Sequence, residues 1–220
     1  MSDLPAGEFL LPLFPLPDVV FFPNTRLPLH VFEPRYRQLV SDVLAADQRF
    51  GVILLRPDWE HDYFGTPPIH RYGTLGTVEQ AAMFDDGRYN VILRGDFRFR
   101  VLGEIDHAPY GVARVEAVPE AIGSAEAAYA ERQWLADIAR QYMLYLPGQT
   151  PVPEIATAGL GALTSALTMS LNLDAERKQR LLELDNLVER GEEIGRELTE
   201  RIETLRFLEP FRRPGDPGAN

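Results

Sequence analysis

The single lysine of the chain, Lys178, is the residue on which two kinds of amine-dependent chemistry would rest. A P-loop needs a lysine directly after a glycine-rich turn, because the ammonium must reach the β- and γ-phosphates of the nucleotide. Lys178 has no such turn before it and lies in a charged run, residues 176–180. The sequence therefore excludes a Walker-type ATPase site.

Ser170 is the serine nearest to Lys178 in the sequence, and it lies in the preceding predicted element, before a helix cap expected at Asp174. A serine–lysine dyad needs a desolvated lysine beside the serine, so that the neutral amine can act as a base. We expect Lys178 to be a solvated ammonium in its charged helical turn. The chain also has no cysteine, which excludes thiol catalysis and thiolate metal ligands. We predict no catalytic residue and no enzyme activity.

The four histidines, His30, His61, His70 and His107, lack the spacing of a metal site. His61 and His70 share a loop with acidic residues, but no pair has the i, i+4 helical spacing of a zincin. A loose loop also does not preorganise ligands. We predict no metal and no cofactor.

The net charge of −11 is shared by both halves of the chain. Residues 1–118 carry 11 basic and 16 acidic side chains, and the remainder carries 11 and 17. Nucleic-acid binders usually present a basic face, because phosphate neutralisation supplies most of their affinity. The composition therefore argues against nucleic acid as a partner. With no secretory signal pattern at the N-terminus and no apolar run long enough to span a bilayer, we expect a cytoplasmic protein without a membrane partner.

A long stretch with little periodicity, residues 56–72, carries large aromatic side chains among Asp, Glu, Pro and Gly. Amphipathic aromatics near a surface are common anchors of recognition. They also fold back onto a barrel as a small satellite cluster. Both interpretations stay open for Trp59, Tyr63, Phe64 and Tyr72.

The stretch that must position these residues is 11–40, in which three short apolar runs are separated by prolines. The runs 10–14, 19–22 and 27–32 have strand length and composition, and prolines confine such strands to edges, bulges or strand ends. Unpaired edges could accept an extended peptide by strand addition. After residue 32 an apolar stripe with helical spacing begins, and Pro34 is placed at its start, where a missing N–H costs nothing.

Five further strand patterns follow up to residue 118, and an Asp-Gly hairpin turn is predicted at residues 85–88. From residue 124 onward the pattern is almost wholly helical. The fold class predicted is α+β, a β pseudo-barrel with one helix followed by a C-terminal α-helical bundle. The predicted division is 1–118 for the β domain, 119–208 for the helical bundle and 209–220 for a flexible tail.

The segment LPLFPLPDVVFFPNTRLPLHVFEPRY resembles the opening of the Lon protease N-terminal, substrate-binding domain family, in particular its stand-alone bacterial members. Three later segments resemble the family in order: residues 76–78, Gly95 with residues 98–100, and residues 178–183 with the final long helix. The resemblance covers residues 9–208. It implies a PUA-like β domain joined to a helical bundle, and a structural role for Glu33, Pro34, Arg35, Tyr36, Gly76, Gly95 and Arg98.

The resemblance also implies recognition of unfolded protein or peptide segments, while the ATPase and Ser–Lys protease residues of full-length Lon have no match here. The leading hypothesis is therefore a non-catalytic peptide-recognition module, with a cellular protease or chaperone as a further partner. One alternative is an RNA-binding PUA-like protein that uses Arg94, Arg98 and Arg100, and another is a scaffold for a dedicated protein partner. We expect Glu33 and Arg35 to form a local ion pair. The predicted peptide-binding residues are Phe21, Phe22, Trp59, Tyr63, Phe64 and Tyr72.

Overall fold

The computed structural model of the chain describes residues 4–63, 65–105, 108–146 and 158–209. These residues form six β-strands and five α-helices, so the α+β fold class is confirmed. They belong to two compact units, Met1–Pro119 with Leu171–Asp185 and Glu120–Ser170 with Asn186–Asn220. None of the helices within the described ranges has the length and apolar character needed to cross a membrane.

The first unit contains all six strands, two α-helices and a short 3-10 helix. The strands are β1 (Glu8–Leu16), β2 (Arg26–Val31), β3 (Arg49–Leu55), β4 (Ile69–Met83), β5 (Tyr89–Ile105) and β6 (Val112–Val118). The helices of this unit are α1 (Pro34–Leu44), the 3-10 helix (Trp59–Asp62) and α4 (Ala175–Glu183). The second unit contains the helices α2 (Ala125–Met143), α3 (Leu160–Ser170) and α5 (Leu187–Leu208).

The sheet has the strand order β2-β5-β4-β3-β1-β6, and a second pairing between β6 and β5 closes it into a barrel. The two halves of β5 have different neighbours on the same side: residues 89–94 pair with β2, and residues 98–105 pair with β6. β1 also divides its pairing, with β6 on one side through residues 8–12 and with β3 on the other side through residues 13–16. Proline is tolerated at Pro12 and Pro15 because each half of β1 needs ladder donors on one side only.

The apolar run 19–22, predicted as a strand, has no regular secondary structure. Its side chains Phe21 and Phe22 are 1% and 0% exposed. The hydroxyl of Thr74 donates to the Phe21 carbonyl (2.6 Å), and a Cβ on Gly95 would lie 2.3 Å from the Phe22 carbonyl oxygen. Phe21 and Phe22 therefore belong to the core, and their prediction as peptide contacts is corrected, because a covered side chain cannot touch a ligand in this conformation.

Helix α1 begins at Pro34 as predicted and buries one face against the barrel. The buried positions Tyr36, Leu39, Val40 and Val43 follow the i, i+3, i+4, i+7 spacing of the sequence pattern. Together with apolar side chains of β1 to β6 they form one core cluster of the unit. A second cluster fills the barrel interior, built from Leu11, Leu13, Ile53, Leu75, Phe97, Phe99, Ala113 and Val115.

Residues 171–185, which we predicted to be part of the helical bundle, pack with the barrel instead. The reason is the side chain of Arg98, which is 0% exposed. Its guanidinium donates to the carbonyls of Leu182 (2.8 Å) and Leu184 (3.1 Å). It also donates to the Pro119 carbonyl (3.0 Å) and to the Asp185 carboxylate (2.9 Å). One buried arginine thus satisfies the backbone at the end of α4.

The second unit is helical, and its helices α2 and α5 begin directly after the caps Ser124 and Asn186. The Ser124 hydroxyl accepts from the Ala127 N–H, and the Asn186 side chain accepts from the Val188 N–H. α2, α3 and α5 bury Leu135, Leu163, Leu167, Ile194, Leu198 and Ile202. Of the predicted tail, 209–220, only Glu209 falls within the described residues.

Candidate functional site

A groove of about 560 Å³ opens on the surface of the first unit, next to the aromatic loop singled out in the sequence. Its size is within the usual range for ligand sites, about 300–1,000 Å³. Both core clusters reach it, because Leu13 belongs to one of them and Tyr36 to the other. The groove is lined by Leu13, Pro15, Arg35, Tyr36, Gly65, Thr66, Pro67, Ile69, Glu104, Ile105, Ala108, Pro109, Tyr110, Gly111 and Val112.

The loop is fixed beside this groove by Tyr63, whose hydroxyl donates to the Glu33 carboxylate (2.5 Å). Arg35 donates to the Tyr63 carbonyl (2.8 Å), and its guanidinium lies 4.5 Å from the centre of the Tyr63 ring. Arg35 and Glu33 form the predicted ion pair, with 3.1 Å between Nη2 and Oε2. Burial and the hydrogen bond to Glu33 raise the pKa of the Tyr63 hydroxyl. At neutral pH it is therefore a protonated donor that holds the loop down.

The other aromatic residues of the loop divide into two groups. Trp59 is half-buried and packs edge-on against Tyr63, with 5.1 Å between ring centroids. Tyr72 is half-buried on β4, opposite Arg100 of β5. Trp59 and Tyr63 thus form a small cluster on the barrel, while Tyr72 lies on a neighbouring strand. Phe64, the fourth predicted loop contact, lies outside the described residues.

Two tyrosines form walls of the groove. Tyr110 donates to the Asp42 carboxylate (2.8 Å), and burial together with this carboxylate raises the pKa of Tyr110 to about 12. Burial also raises the pKa of Tyr36. Both phenols stay protonated at neutral pH, so neither acts as a base, and both side chains are largely covered, at 4% exposure for Tyr36 and 8% for Tyr110.

The carboxylate of Glu104 lines the same groove, at the end of β5. A β-bulge between Val101 and Gly103 shifts the register, so that Glu104 is opposite Ala113 of β6. Ala113 is fully buried in the barrel interior, and directly opposed residues of an antiparallel pair share one face of the sheet. Glu104 therefore continues the Ala113 face of the sheet at the mouth of the barrel, where its side chain is exposed to solvent. The sequence reasoning missed it, because strict alternation from Phe97 would point this residue outward.

The three arginines considered for RNA binding are engaged within the protein. Arg98 is buried as described, and Arg94 forms ion pairs with Asp96 (3.1 Å) and Glu79 (3.5 Å). Arg100 pairs with Glu116. Their charges are offset by neighbouring carboxylates or buried, so this strand does not present a basic face.

The solvation of Lys178 and the position of His70 differ from what we predicted from the sequence, which was a solvated lysine and a loop histidine. Burial lowers the pKa of Lys178, which we predicted to be fully solvated. His70 is placed on β4, with its ring nitrogens 3.2 Å from the Glu176 carboxylate and 3.8 Å from that of Glu183. Within the described ranges, no three His, Cys, Asp or Glu side chains are grouped as a metal site requires.

Comparison with known proteins gives one consistent family. The family model described as "ATP-dependent protease La (LON) substrate-binding domain" matches residues 10–200. "Lon protease 2" of Myxococcus xanthus is 29% identical over 210 residues, which is 94% of this chain and 25% of that protein. "Lon protease" of Anaeromyxobacter dehalogenans is 28% identical over 210 residues, 94% of this chain and 24% of that protein. The chain thus spans about a quarter of the length of these relatives.

Two solved structures share the fold. A Lon N-terminal domain protein from Xanthomonas campestris is 26% identical with a TM-score of 0.61, covering 84% of this chain and 96% of that one. The N-terminal domain of a Mycobacterium avium complex Lon protease gives a TM-score of 0.65 at 15% identity, covering 89% of this chain and 98% of that one.

Proposed function

The chain belongs to the ATP-dependent protease La (LON) substrate-binding domain family, and from that premise we propose that it is a non-catalytic, cytoplasmic module that binds extended apolar segments of unfolded proteins. The observation that carries this proposal is the groove at the barrel mouth. It joins walls of mixed apolar and polar character to a loop that is held in place by hydrogen bonds.

The chemistry of the groove supports an apolar segment as its occupant. Ile69 and Ile105 supply partly exposed aliphatic surface, whereas the other apolar lining side chains, Leu13, Tyr36, Tyr110 and Val112, are at most 9% exposed and form the floor of the groove. Apolar clefts with a few placed polar groups are the common form of ligand site. Because an unfolded chain exposes apolar side chains that a folded protein covers, such a groove discriminates between the two states.

Preorganisation of the loop supports binding as well. Residues 65–67 line the groove, and the anchoring of Tyr63 by Glu33 and Arg35 fixes the backbone just before them. A wall that is already ordered loses less conformational entropy when a ligand binds. A segment held in this way is then available to a separate protease or chaperone.

The test compares Ile105→Ser with Leu10→Ser in binding to a permanently unfolded reporter, such as a reduced and carboxymethylated protein. Ile105 lines the groove and is 42% exposed, whereas Leu10 is 61% exposed on β1 outside the groove lining. Full burial of such a side chain contributes about 1.5–3 kcal/mol. Covering the exposed 42% of Ile105 contributes about 0.6–1.3 kcal/mol, roughly a three- to ninefold change in Kd.

We expect Ile105→Ser to weaken the reporter's binding by that factor and Leu10→Ser to leave it unchanged, as measured by titration calorimetry. The variants are matched, because each replaces one exposed aliphatic side chain of equal size in the same unit. Equal weakening by both variants, or by neither, contradicts the assignment of the groove. A folded reporter of the same sequence serves as the negative control.

A further inference from the structure

The groove has an electrostatic feature that the apolar proposal does not use, the carboxylate of Glu104. In the barrel interior the inward positions of β5 and β6 are apolar, including Phe97, Phe99 and Val115. The bulge after Val101 brings Glu104 into this series at the mouth. The side chain of Glu104 is exposed at this strand end, so the cation of a bound segment can reach the carboxylate from the solvent side.

Arg35 is the one basic side chain among the described residues that line the groove. It is already engaged by Glu33 and by the carbonyl of Tyr63. Within the described ranges, no side chain forms an ion pair with Glu104. Burial raises the pKa of Glu104, which fits a carboxyl group that lacks a compensating cation.

We propose that Glu104 makes the groove selective for apolar segments that carry a lysine or arginine, whose cation pairs with this carboxylate at the barrel mouth. The inference rests on the proposed function, since it assigns a charge preference to the same groove. The chain's net charge of −11 acts in the same direction, because it attracts basic segments at long range.

The test measures the binding of three peptides to four forms of the protein. Three fluorescein-labelled peptides share one sequence of alternating Leu and Ser and differ at the central position, which is Lys, norleucine or Glu. Each is titrated by fluorescence anisotropy at pH 7 against the wild-type protein, Glu104→Gln and Glu104→Lys. Asp85→Asn is the matched control, because it removes one carboxylate from the β4–β5 turn, outside the groove lining.

We expect the wild-type protein to bind the Lys peptide about two- to fivefold more tightly than the norleucine peptide, as for a partly exposed ion pair. This preference should disappear in Glu104→Gln, turn toward the Glu peptide in Glu104→Lys, and persist in Asp85→Asn. It should also weaken with added salt, which screens exposed charges.

The experiment distinguishes a failure of the proposed function from a failure of the role assigned to Glu104. If the wild-type protein binds none of the three peptides, the proposed function is refuted and the charge preference with it. If it binds Lys and norleucine peptides equally, the groove still binds apolar segments, but the role of Glu104 is refuted. A Lys preference that survives in Glu104→Gln also refutes that role. Glu104 then only protects the strand end, as inward-pointing charges do elsewhere.

Discussion

Replacement of Arg98 by methionine is the perturbation that most directly tests how residues 171–185 are held on the barrel. Methionine keeps a long side chain but loses the hydrogen bonds of the guanidinium to Leu182, Leu184, Pro119 and Asp185. Three of the acceptors are backbone carbonyls, and each buried carbonyl left unpaired costs about 1–3 kcal/mol. Since such losses are not additive, we expect Arg98→Met to lower the free energy of unfolding by about 3–5 kcal/mol.

Two further variants separate geometry from charge. Arg98→Lys keeps the charge, but a single ammonium cannot reach four acceptors spread around a planar fork, so we expect about half of that loss. Asp185→Asn removes only the carboxylate, whose side chain is 62% exposed, and should cost less than about 1 kcal/mol. Arg100→Met is the matched control, because Arg100 is two residues along β5 and forms an exposed pair with Glu116.

The assay has two readouts, urea unfolding followed by circular dichroism and hydrogen exchange followed by mass spectrometry. In Arg98→Met, the backbone amides of α4 should exchange faster than in the wild-type protein, whereas Arg100→Met should leave them unchanged. If Arg98→Met destabilises no more than Arg100→Met, the buried hydrogen bonds do not hold α4 to the barrel. The reasoning from Arg98 is then wrong.

Two other predictions concern stability. Gly95→Ala should lower the free energy of unfolding by about 2–3 kcal/mol, because the new Cβ would lie 2.3 Å from the Phe22 carbonyl oxygen. Urea denaturation measures this loss, and an unchanged midpoint would refute the close packing. Burial and the Glu192 carboxylate raise the pKa of Glu131, so its ionisation is less favourable in the folded protein. The free energy of unfolding should therefore fall as the pH rises past the ordinary glutamate pKa and through the raised one. Glu131→Gln should reduce that fall in pH-dependent unfolding curves, and identical curves for variant and wild type would count against it.

Features that depend on a few neighbouring residues were predictable from the sequence. The turn at residues 85–88 forms as expected, with the Phe84 N–H donating to the Arg88 carbonyl and Gly87 at φ +79°. The Asp174 side chain accepts a backbone N–H as the predicted helix cap, and Ser124, where the predicted helical pattern begins, does the same. Each of these interactions is complete within four or five residues, so local sequence is sufficient to specify it.

The run 19–22 shows why composition alone was not sufficient. Its apolar, β-branched and aromatic residues are typical of a strand, yet its backbone accepts a hydrogen bond from Thr74 and lies against Gly95, both more than fifty residues away. Strand composition reports that a segment fits a buried, extended environment, not that a ladder partner is present. The same limit explains why Phe21 and Phe22 were assigned to a binding surface.

The candidate site was predicted only in part. The loop and its Glu33–Arg35 anchor were indicated by the sequence, because exposed aromatics among turn residues and a charged pair at a helix start are local signals. Glu104 was not indicated, since one extra residue in a strand reverses every later side-chain direction. Its signal was the glycine beside it, Gly103, because an isolated glycine in a strand often marks a bulge.

The long-range partners of Arg98 also set an order of events during protein synthesis. Leu182 follows Arg98 by 84 residues, so a ribosome that adds roughly 5–20 residues per second needs about 4–17 s to produce its acceptor. During that interval all six strands have been synthesised, but the guanidinium has no carbonyls at the end of α4 to bind. Until α4 has been synthesised, the guanidinium lacks its acceptors at Leu182, Leu184 and Asp185, so we expect the barrel to complete its folding only when the chain has grown well past the last strand.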